Sequence, residues 1–225
     1  MSFYPIYLTR LYEKKVVLIG GDEEAERKAY ELLEFGARLV IISPHLTEKL
    51  TELYRAGRFY WIDRPYRYGD LNGAGFAIAA EYNDELAETI AQEASERNIL
   101  VNIMDNIPLS DSAFGSVIKR GELTISFSTN GLAPALAVRL KEKFKREIDH
   151  AYEEFLEWAA KLRPHINQHI TDSELRKKLW YKWVDSEVIT LLREKRKVEA
   201  WEVTSGIWGN QITEKVLVES ENEQG

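Results

Sequence analysis

Residues 16–25 read Val-Val-Leu-Ile-Gly-Gly-Asp-Glu-Glu-Ala, a buried strand that runs into a glycine turn and then a helix. In a dinucleotide-binding Gly-x-Gly-x-x-Gly/Ala turn, the first glycine makes the turn and the second lets the backbone approach a pyrophosphate. The third small residue lets helix and strand pack. Gly20 and Ala25 fill the first and third places, but Asp22 fills the second. The stretch therefore predicts a Rossmann-type unit with a carboxylate where a pyrophosphate is expected.

Strand-like and helical patterns alternate from residue 16 to residue 103. The predicted strands cover 16–19, 38–42, 59–62, 76–80 and 100–103, and the predicted helices cover 24–35, 47–56 and 84–97. Strands separated by helices are typical of a parallel, doubly wound sheet. We therefore expect a Rossmann-type α/β domain, the dinucleotide-binding kind, over residues 1–110.

The pattern changes after Pro108. It predicts a β-hairpin and then helices, with strands at 116–119 and 123–128 and helices at 135–162, 172–184 and 185–197. We expect a small α+β region over 111–150, a helical module over 151–210 and a disordered polar tail over 211–225. Because the hairpin lies outside the parallel sheet and needs an apolar partner, we expect it to form a homodimer interface with the helix after Pro134.

The bulk composition limits the class of protein. The 225 residues carry a formal net charge of -7, which argues against nucleic acid or an anionic membrane as a partner. The absence of cysteine excludes disulfides and thiolate metal sites, and it suits a reducing cytoplasm. His165 and His169 are four residues apart but lack a third ligand at a familiar spacing, so we predict no metal site. We expect a cytoplasmic protein without a membrane span.

The end of the second predicted strand bears on the choice of cofactor. An acidic residue that binds the adenosine ribose is expected there, but the chain has Ser43 followed by Pro44. A serine hydroxyl can contact a ribose or a 2′-phosphate, so the choice between NAD and NADP stays open. Two interpretations of residues 16–43 also stay open, a domain that binds a dinucleotide and one that has lost this ability.

Six sequence segments occur in a fixed order along nearly the whole chain. They are Phe-Tyr-Pro-Ile-Tyr-Leu at 3–8, Val-Leu-Ile-Gly-Gly followed by Ala-Glu-Arg-Lys within 17–28, Glu-Phe-Gly-Ala at 34–37, Ala-Ala at 79–80, Val-Asn-Ile-Met-Asp at 101–105 and Ile-Ser-Phe-Ser-Thr-Asn-Gly-Leu-Ala-Pro at 125–134. In this order and spacing, they resemble the precorrin-2 dehydrogenase and sirohydrochlorin ferrochelatase family of siroheme synthesis.

The resemblance implies a Rossmann domain, a central dimerisation region and a helical module, with a tetrapyrrole as the small-molecule ligand of a homodimer. It implies an oxidoreductase that takes two hydrogens from precorrin-2, passes a hydride to NAD and releases sirohydrochlorin. Some members then insert ferrous iron, a lyase activity. A different interpretation is a non-redox tetrapyrrole binder or chelatase with a degenerate nucleotide site, and a third is a regulatory subunit without a substrate.

The resemblance also implies roles for individual residues. Asp105 corresponds to the carboxylate that acts as the catalytic base, although a turn before Pro108 would also explain an aspartate here. The implied cofactor-binding positions are Gly20, Gly21, Asp22, Glu23, Glu24, Ser43, Pro44, Ala80 and Glu81. The implied substrate-binding positions are Asn102, Asn130, Gly131 and Pro134.

Two positions depart from the family pattern. Glu81 stands where the family usually has a threonine near the nicotinamide, which adds a second anion beside the expected cofactor. Ala133 stands where many members have a serine before the proline, so that position cannot be phosphorylated.

Overall fold

The computed structural model describes residues 3–81 and 83–222, and for residues 217–222 it describes the backbone alone. The chain divides into two compact units, with the boundary between Phe114 and Gly115. We call them the N-terminal unit and the C-terminal unit. The boundary lies a few residues beyond the predicted end of the first domain.

The N-terminal unit is built on a five-stranded parallel sheet with the strand order β3-β2-β1-β4-β5. Its elements are β1 (Lys15–Ile19), α1 (Glu23–Glu34), β2 (Arg38–Ile42), α2 (Glu48–Arg55), β3 (Tyr60–Ile62), β4 (Ala74–Ala79), α3 (Asp84–Glu96) and β5 (Leu100–Ile103). This order confirms the predicted Rossmann-type α/β fold, because β1 lies at the centre and the strand order reverses between β1 and β4.

The central strand β1 explains why the sheet is covered on both faces. Val16, Val17, Leu18 and Ile19 are all fully buried. Val16 and Leu18 pack into the layer that contains α1 and α2, whereas Val17 and Ile19 pack into the layer that contains α3. A strand buried on both faces reads as a continuous apolar run, which is why the sequence predicted it well.

Glu93 of α3 anchors the connection between β3 and β4, residues 63–73, which consists of turns and bends. The side chain is fully buried, and its carboxylate accepts four hydrogen bonds, from the Tyr66 hydroxyl at 2.5 Å, Arg97 Nε at 2.7 Å, Gly69 N–H at 2.6 Å and Leu71 N–H at 3.2 Å. Burial and the hydrogen bond to Glu93 raise the pKa of Tyr66, so its hydroxyl remains a donor. A buried carboxylate is stable here because donors surround it.

The C-terminal unit combines a hairpin with helices. Its elements are β6 (Ser116–Arg120) and β7 (Leu123–Phe127), which pair antiparallel, and α4 (Pro134–Glu147), α5 (His150–His169), α6 (Ser173–Val184), α7 (Val188–Arg193), α8 (Lys197–Trp208) and α9 (Asn210–Asn222). A core rich in tryptophan joins the helices, and Trp183 is fully buried at 4.0 Å from the ring centroid of Phe155.

The single long helix predicted over residues 135–162 is wrong. The structure has two helices, α4 and α5, with a break at Ile148 and Asp149. The Asp149 carboxylate accepts a hydrogen bond from the Ala151 N–H at 3.1 Å and another from Arg193 at 2.5 Å. Asp149 therefore caps a new helix, as aspartate often does, and Arg193 of α7 fixes the cap in place.

The prediction of a disordered tail is also wrong for residues 211–222, which form most of α9. Ile212 and Val216 are buried in the helical core. Four residues separate them, which places them on one face of a helix, and this apolar face gives the acidic segment a reason to fold. Residues 223–225 lie outside the described residues.

Candidate functional site at the carboxyl edge of the sheet

The turn from β1 into α1 packs tightly against its neighbours. Gly20 has φ +119°, and a Cβ on it would lie 3.3 Å from the Glu81 backbone nitrogen. A Cβ on Gly21 would lie 1.9 Å from the His45 carbonyl oxygen, which is a steric overlap. The Thr47 N–H also donates to the Gly21 carbonyl at 3.0 Å. Both glycines are therefore required by the close approach of neighbouring loops.

Asp22 caps helix α1. Its exposed carboxylate accepts a hydrogen bond from the Ala25 N–H at 2.9 Å. Glu23 and Glu24 follow in the first turn, also exposed, so three acidic residues surround a helix N-terminus whose N–H groups favour negative charge. Ala25 is fully buried between helix and sheet, as the third small residue of the turn requires. The backbone fits a dinucleotide turn, and the carboxylate of Asp22 departs from it.

Glu26 links the starts of α1 and α2. It accepts a hydrogen bond from the Thr47 hydroxyl at 2.6 Å and one from Lys49 Nζ at 2.8 Å. These hydrogen bonds, with Lys49 the largest cause, lower the pKa of Glu26. Thr47 in turn accepts from the Leu50 N–H at 3.2 Å and so caps α2. The sequence did not predict the contacts of Glu26, because Thr47 and Lys49 are distant from it in the chain. Thr47 alone indicated only a helix cap.

Ser43 is buried directly after β2. Its side chain is 1% exposed, and its hydroxyl accepts a hydrogen bond from the His45 N–H at 3.4 Å. The Ser43 carbonyl accepts a hydrogen bond from Trp61 Nε1 at 2.9 Å. The loop encloses the Ser43 hydroxyl in this structure, and its expected contact with a ribose stays a prediction. Pro44 and His45 are exposed instead, and His45 is a candidate that the search for an acidic residue overlooked.

The end of β4 lies beside the glycine turn. The Ala80 N–H donates to the Ile19 carbonyl at 2.8 Å, and Ala80 is 9% exposed. Glu81 is exposed. Gly20, Ala80 and Glu81 therefore meet where the strand order reverses, the position at which open α/β sheets bind ligands. The adjacent residue 82 lies outside the described residues.

Asp105 follows β5 at the same edge. The Met104 N–H donates to the Ala79 carbonyl at 2.9 Å, which holds the end of β5 against the end of β4. Asp105 is exposed and adopts φ +61° in a turn. The next residue, Asn106, makes the capping contact, since its side chain accepts from the Leu109 N–H at 3.4 Å. Among the residues whose side chains are described, no group hydrogen-bonds the Asp105 carboxylate.

Asn102 is buried near the end of β5. It is 7% exposed, and its Nδ2 donates to the Ser112 carbonyl at 2.7 Å. The amide fastens the segment after β5 to the sheet, and the role of Asn102 in substrate binding stays a prediction. The alternation of side chains along β5 turns Asn102 inward, which its polar character did not reveal.

The other predicted substrate residues belong to the C-terminal unit. Asn130 and Gly131 have φ +53° and +77° in the loop between β7 and α4, and Pro134 is the first residue of α4. The Ala133 N–H donates to the Thr129 hydroxyl at 3.1 Å, which stabilises this loop. Their geometry is that of a turn before a helix.

In residues 3–81 and 83–216, no group of three or more His, Asp or Glu side chains could hold a metal ion. In the same ranges, no helix has the length and apolar character needed to cross a membrane.

Comparison with known protein families matches both units. The family described as "Putative NAD(P)-binding" matches residues 8–116, which contain the whole parallel sheet. The family described as "Sirohaem synthase dimerisation region" matches residues 151–204, which run from α5 into α8. The chain is similar to the siroheme synthases in both units. The family resemblance found in the sequence is thereby confirmed.

Individual relatives agree. The "Siroheme synthase" of Stutzerimonas stutzeri (strain A1501) is 32% identical over 180 residues, which are 80% of this chain and 38% of the relative. The "Siroheme synthase 1" of Aeromonas salmonicida (strain A449) is 31% identical over 187 residues, 83% of this chain and 40% of the relative. The chain thus spans about two fifths of these siroheme synthases.

A solved structure described as "SirC, precorrin-2 dehydrogenase" has the same fold. Its TM-score is 0.74 at 20% sequence identity, and the match covers 91% of this chain and 98% of that one. The shared fold therefore extends over both units of this chain.

We expect Gly21→Ala to lower the free energy of unfolding by about 1–3 kcal/mol, because the new methyl group would overlap the His45 carbonyl. Chemical denaturation measures the change. Gly206→Ala is the control, since a Cβ there in α8 would meet nothing within 4 Å, and it should stabilise the protein by up to about 1 kcal/mol. Equal stability of Gly21→Ala and the parent would contradict the close approach.

Proposed function

We propose that the protein is an NAD-dependent precorrin-2 dehydrogenase, an oxidoreductase of siroheme biosynthesis that converts precorrin-2 to sirohydrochlorin. The observation that carries the proposal is the exposed Asp105 carboxylate at the same edge of the sheet as the glycine turn, in a chain that joins an NAD(P)-binding region to a sirohaem synthase dimerisation region. The relatives are described as siroheme synthases, and the similar solved structure is described as a precorrin-2 dehydrogenase.

The N-terminal unit supplies backbone donors for the cofactor. The backbone of Gly20 and Gly21, together with the first N–H groups of α1 at Glu23 and Glu24, would hold the pyrophosphate of NAD. Ala80, with its small side chain, lies beside Gly20 at the reversal point of the sheet. When bound, NAD supplies the acceptor for the hydride that precorrin-2 loses.

Asp105 completes the chemistry. Loss of a hydride from a carbon leaves a proton to be removed, and an exposed carboxylate can accept it. Asn106 carries the capping hydrogen bond of this turn, so the Asp105 carboxylate is available as a base. The positive φ of Asp105 supports this role, because a strained non-glycine backbone is found where function requires a fixed direction.

The same carboxylate suits a second activity, the insertion of ferrous iron into sirohydrochlorin. Two pyrrole N–H groups lose their protons when a metal enters the ring, and Asp105 can accept them in turn. Ferrous iron would be a substrate of this second activity, which is that of a sirohydrochlorin ferrochelatase.

A second candidate function is a non-redox tetrapyrrole binder or chelatase, and Asp22 is the observation that favours it. Its carboxylate already occupies one donor of the α1 N-terminus. Glu81 adds another exposed negative charge beside Gly20. Two carboxylates at this edge of the sheet would repel a pyrophosphate. Binding of a tetrapyrrole without binding of NAD would support this second candidate function.

We expect Asp105→Asn to cut turnover of precorrin-2 at least ~100-fold, the usual effect of a lost general base. The fold should persist, because asparagine keeps the shape and tolerates positive φ. Absorbance spectroscopy with NAD follows the formation of sirohydrochlorin. Asp63→Asn is the matched control, an exposed aspartate after the outer strand β3. If Asp105→Asn turned over precorrin-2 at the parent rate, Asp105 would be a turn residue and not the catalytic base.

We expect Asp22→Gly to tighten NAD binding by roughly tenfold to a few hundredfold. Two like charges 4 Å apart repel by about 4 kcal/mol at an effective dielectric of 20, while a helix N-terminus offers an anion only about 0.3–1 kcal/mol. Solvent screening at an exposed site reduces the repulsion, and glycine is itself an acceptable helix cap.

Calorimetry on parent and Asp22→Gly at two salt concentrations measures the effect, which should shrink in high salt. Asp84→Gly, at the start of α3, is the control for loss of a charge near another helix start. An unchanged dissociation constant would show that no dinucleotide approaches Asp22, and it would favour the second candidate function.

We further propose that the protein is a homodimer, supported by the dimerisation region matched at 151–204. This region lies C-terminal to residues 111–150, where sequence analysis placed dimerisation. Exposed apolar side chains still favour a contribution from the loop and start of α4, since Leu132 and Leu136 are 88% and 52% exposed.

Light scattering should therefore give twice the chain mass at micromolar concentration. Leu136→Asp should shift the protein toward monomer, because it places a charge on the apolar face. Tyr60→Asp, 78% exposed on β3 of the N-terminal unit, should leave the mass unchanged. A monomer mass for the parent at every concentration would overturn the proposal.

A further inference from the structure

A groove on the C-terminal unit lies between α5 and α6, within the dimerisation region matched at 151–204, and none of its lining residues belongs to the candidate site. Its volume is about 480 Å³, within the usual range for sites of small molecules. The lining residues are Arg163 and Asn167 of α5 and Ser173, Arg176, Lys177, Trp180, Tyr181 and Val184 of α6. Those of α6 recur at intervals of three and four residues, so a single helix face provides them.

The lining is positively charged in an acidic protein. Three of the eight lining side chains are cationic and none is acidic, although the chain carries a net charge of -7. The nearest acidic residues in the sequence are Asp172, Glu174 and Asp185, and none of them lines the groove. The Asp172 carboxylate is engaged as the cap of α6, where it accepts from the Glu174 and Leu175 N–H groups. The groove therefore attracts an anion.

Two of the cations are held in place. Arg176 Nη1 donates to the carbonyls of Ile170 and Thr171, at 2.5 and 3.0 Å, which fixes the guanidinium while its other nitrogens stay available as donors. The guanidinium carbon of Arg163 lies 5.9 Å from the centre of the Trp180 ring. A positioned guanidinium binds carboxylate or phosphate at lower entropic cost than a free one.

Aromatic surface accompanies the charge. Trp180 is half-buried and packs edge-on against Trp183 and Trp208, with ring centroids 5.5 and 4.9 Å apart. Tyr181 is 62% exposed at the mouth of the groove. Rigid aromatic rings beside fixed cations suit a ligand that has both a flat apolar face and acidic groups.

We propose that this groove binds a planar aromatic anion with at least two acidic groups. Inorganic anions would use the cations only, and neutral aromatics would leave the three positive charges uncompensated. Two sources share this chemistry, a tetrapyrrole with several carboxylates and a nucleotide with a base and phosphates. The proposal stands on the groove itself and does not depend on the proposed dehydrogenase activity.

The test compares three probes by calorimetry: uroporphyrin I, ADP and inorganic phosphate. Uroporphyrin or ADP should bind at least tenfold more tightly than phosphate. Both ring-containing probes could also bind at the sheet edge, so the decisive quantity is the difference between variants. Arg163→Glu combined with Lys177→Glu reverses two lining charges and should remove one binding event or weaken it at least tenfold.

The matched control is Lys178→Glu combined with Lys182→Glu. It makes the same change in net charge with exposed lysines of α6 that do not line the groove. The control should retain parent affinity within about twofold. Circular dichroism verifies that both double variants fold, as expected for changes at exposed positions.

Tyr181→Ala separates aromatic stacking from charge, and it should weaken the ring-containing probes at least threefold without affecting phosphate. Loss in the uroporphyrin arm identifies a tetrapyrrole site, and loss in the ADP arm identifies a nucleotide site. Equal affinities of the groove and control variants for both probes would overturn the proposal. So would phosphate binding as tight as that of the rings. The dehydrogenase proposal can fail separately. Turnover of precorrin-2 by Asp105→Asn at the parent rate would contradict the role of Asp105 as the base, and it would leave the binding results for the groove unchanged.

Discussion

The contact between Gly21 and the His45 carbonyl fixes the geometry on which the carboxyl edge of the sheet depends. Here the first turn and the loop after β2 come so close that no side chain fits between them. A hydrogen bond from Thr47 to the Gly21 carbonyl reinforces the contact, and the Thr47 hydroxyl bonds Glu26 of α1. The starts of α1 and α2 are thus tied together. The second glycine of the chain's Gly-Gly pair, which the family resemblance places among the cofactor-binding positions, is thus also required for packing between the two loops.

The N-terminal half of the fold could be predicted from sequence because its strands are buried on both faces. Such strands give continuous apolar runs, and the helices between them begin at recognisable caps such as Thr47 and Asn83. Less of the C-terminal half could be predicted from the sequence. Asp149 caps α5 through the Ala151 N–H, and Arg193, far along the chain, also binds its carboxylate. A contact of that range leaves no local signal.

The candidate site, too, could be predicted only in part from the sequence. The positions of Gly20, Ala80 and Asp105 follow from the order of strands, so sequence could place them at one edge. The direction of a side chain depends on packing that sequence does not display. Ser43 and Asn102 both looked like ligand contacts, and both turn inward to bond backbone groups of neighbouring loops. His45 became visible only once the loop that buries Ser43 was known.

Glu93 has a consequence for the local dynamics of the molecule. The connection from β3 to β4 lacks regular secondary structure, which would ordinarily make it a region of rapid local opening. The buried Glu93 carboxylate binds the amide protons of Gly69 and Leu71 directly. These protons can exchange with solvent only when the connection separates from Glu93, so local opening of this irregular segment requires loss of its contact with α3. A single acidic side chain thereby slows opening of a segment that has no hydrogen-bond ladder of its own.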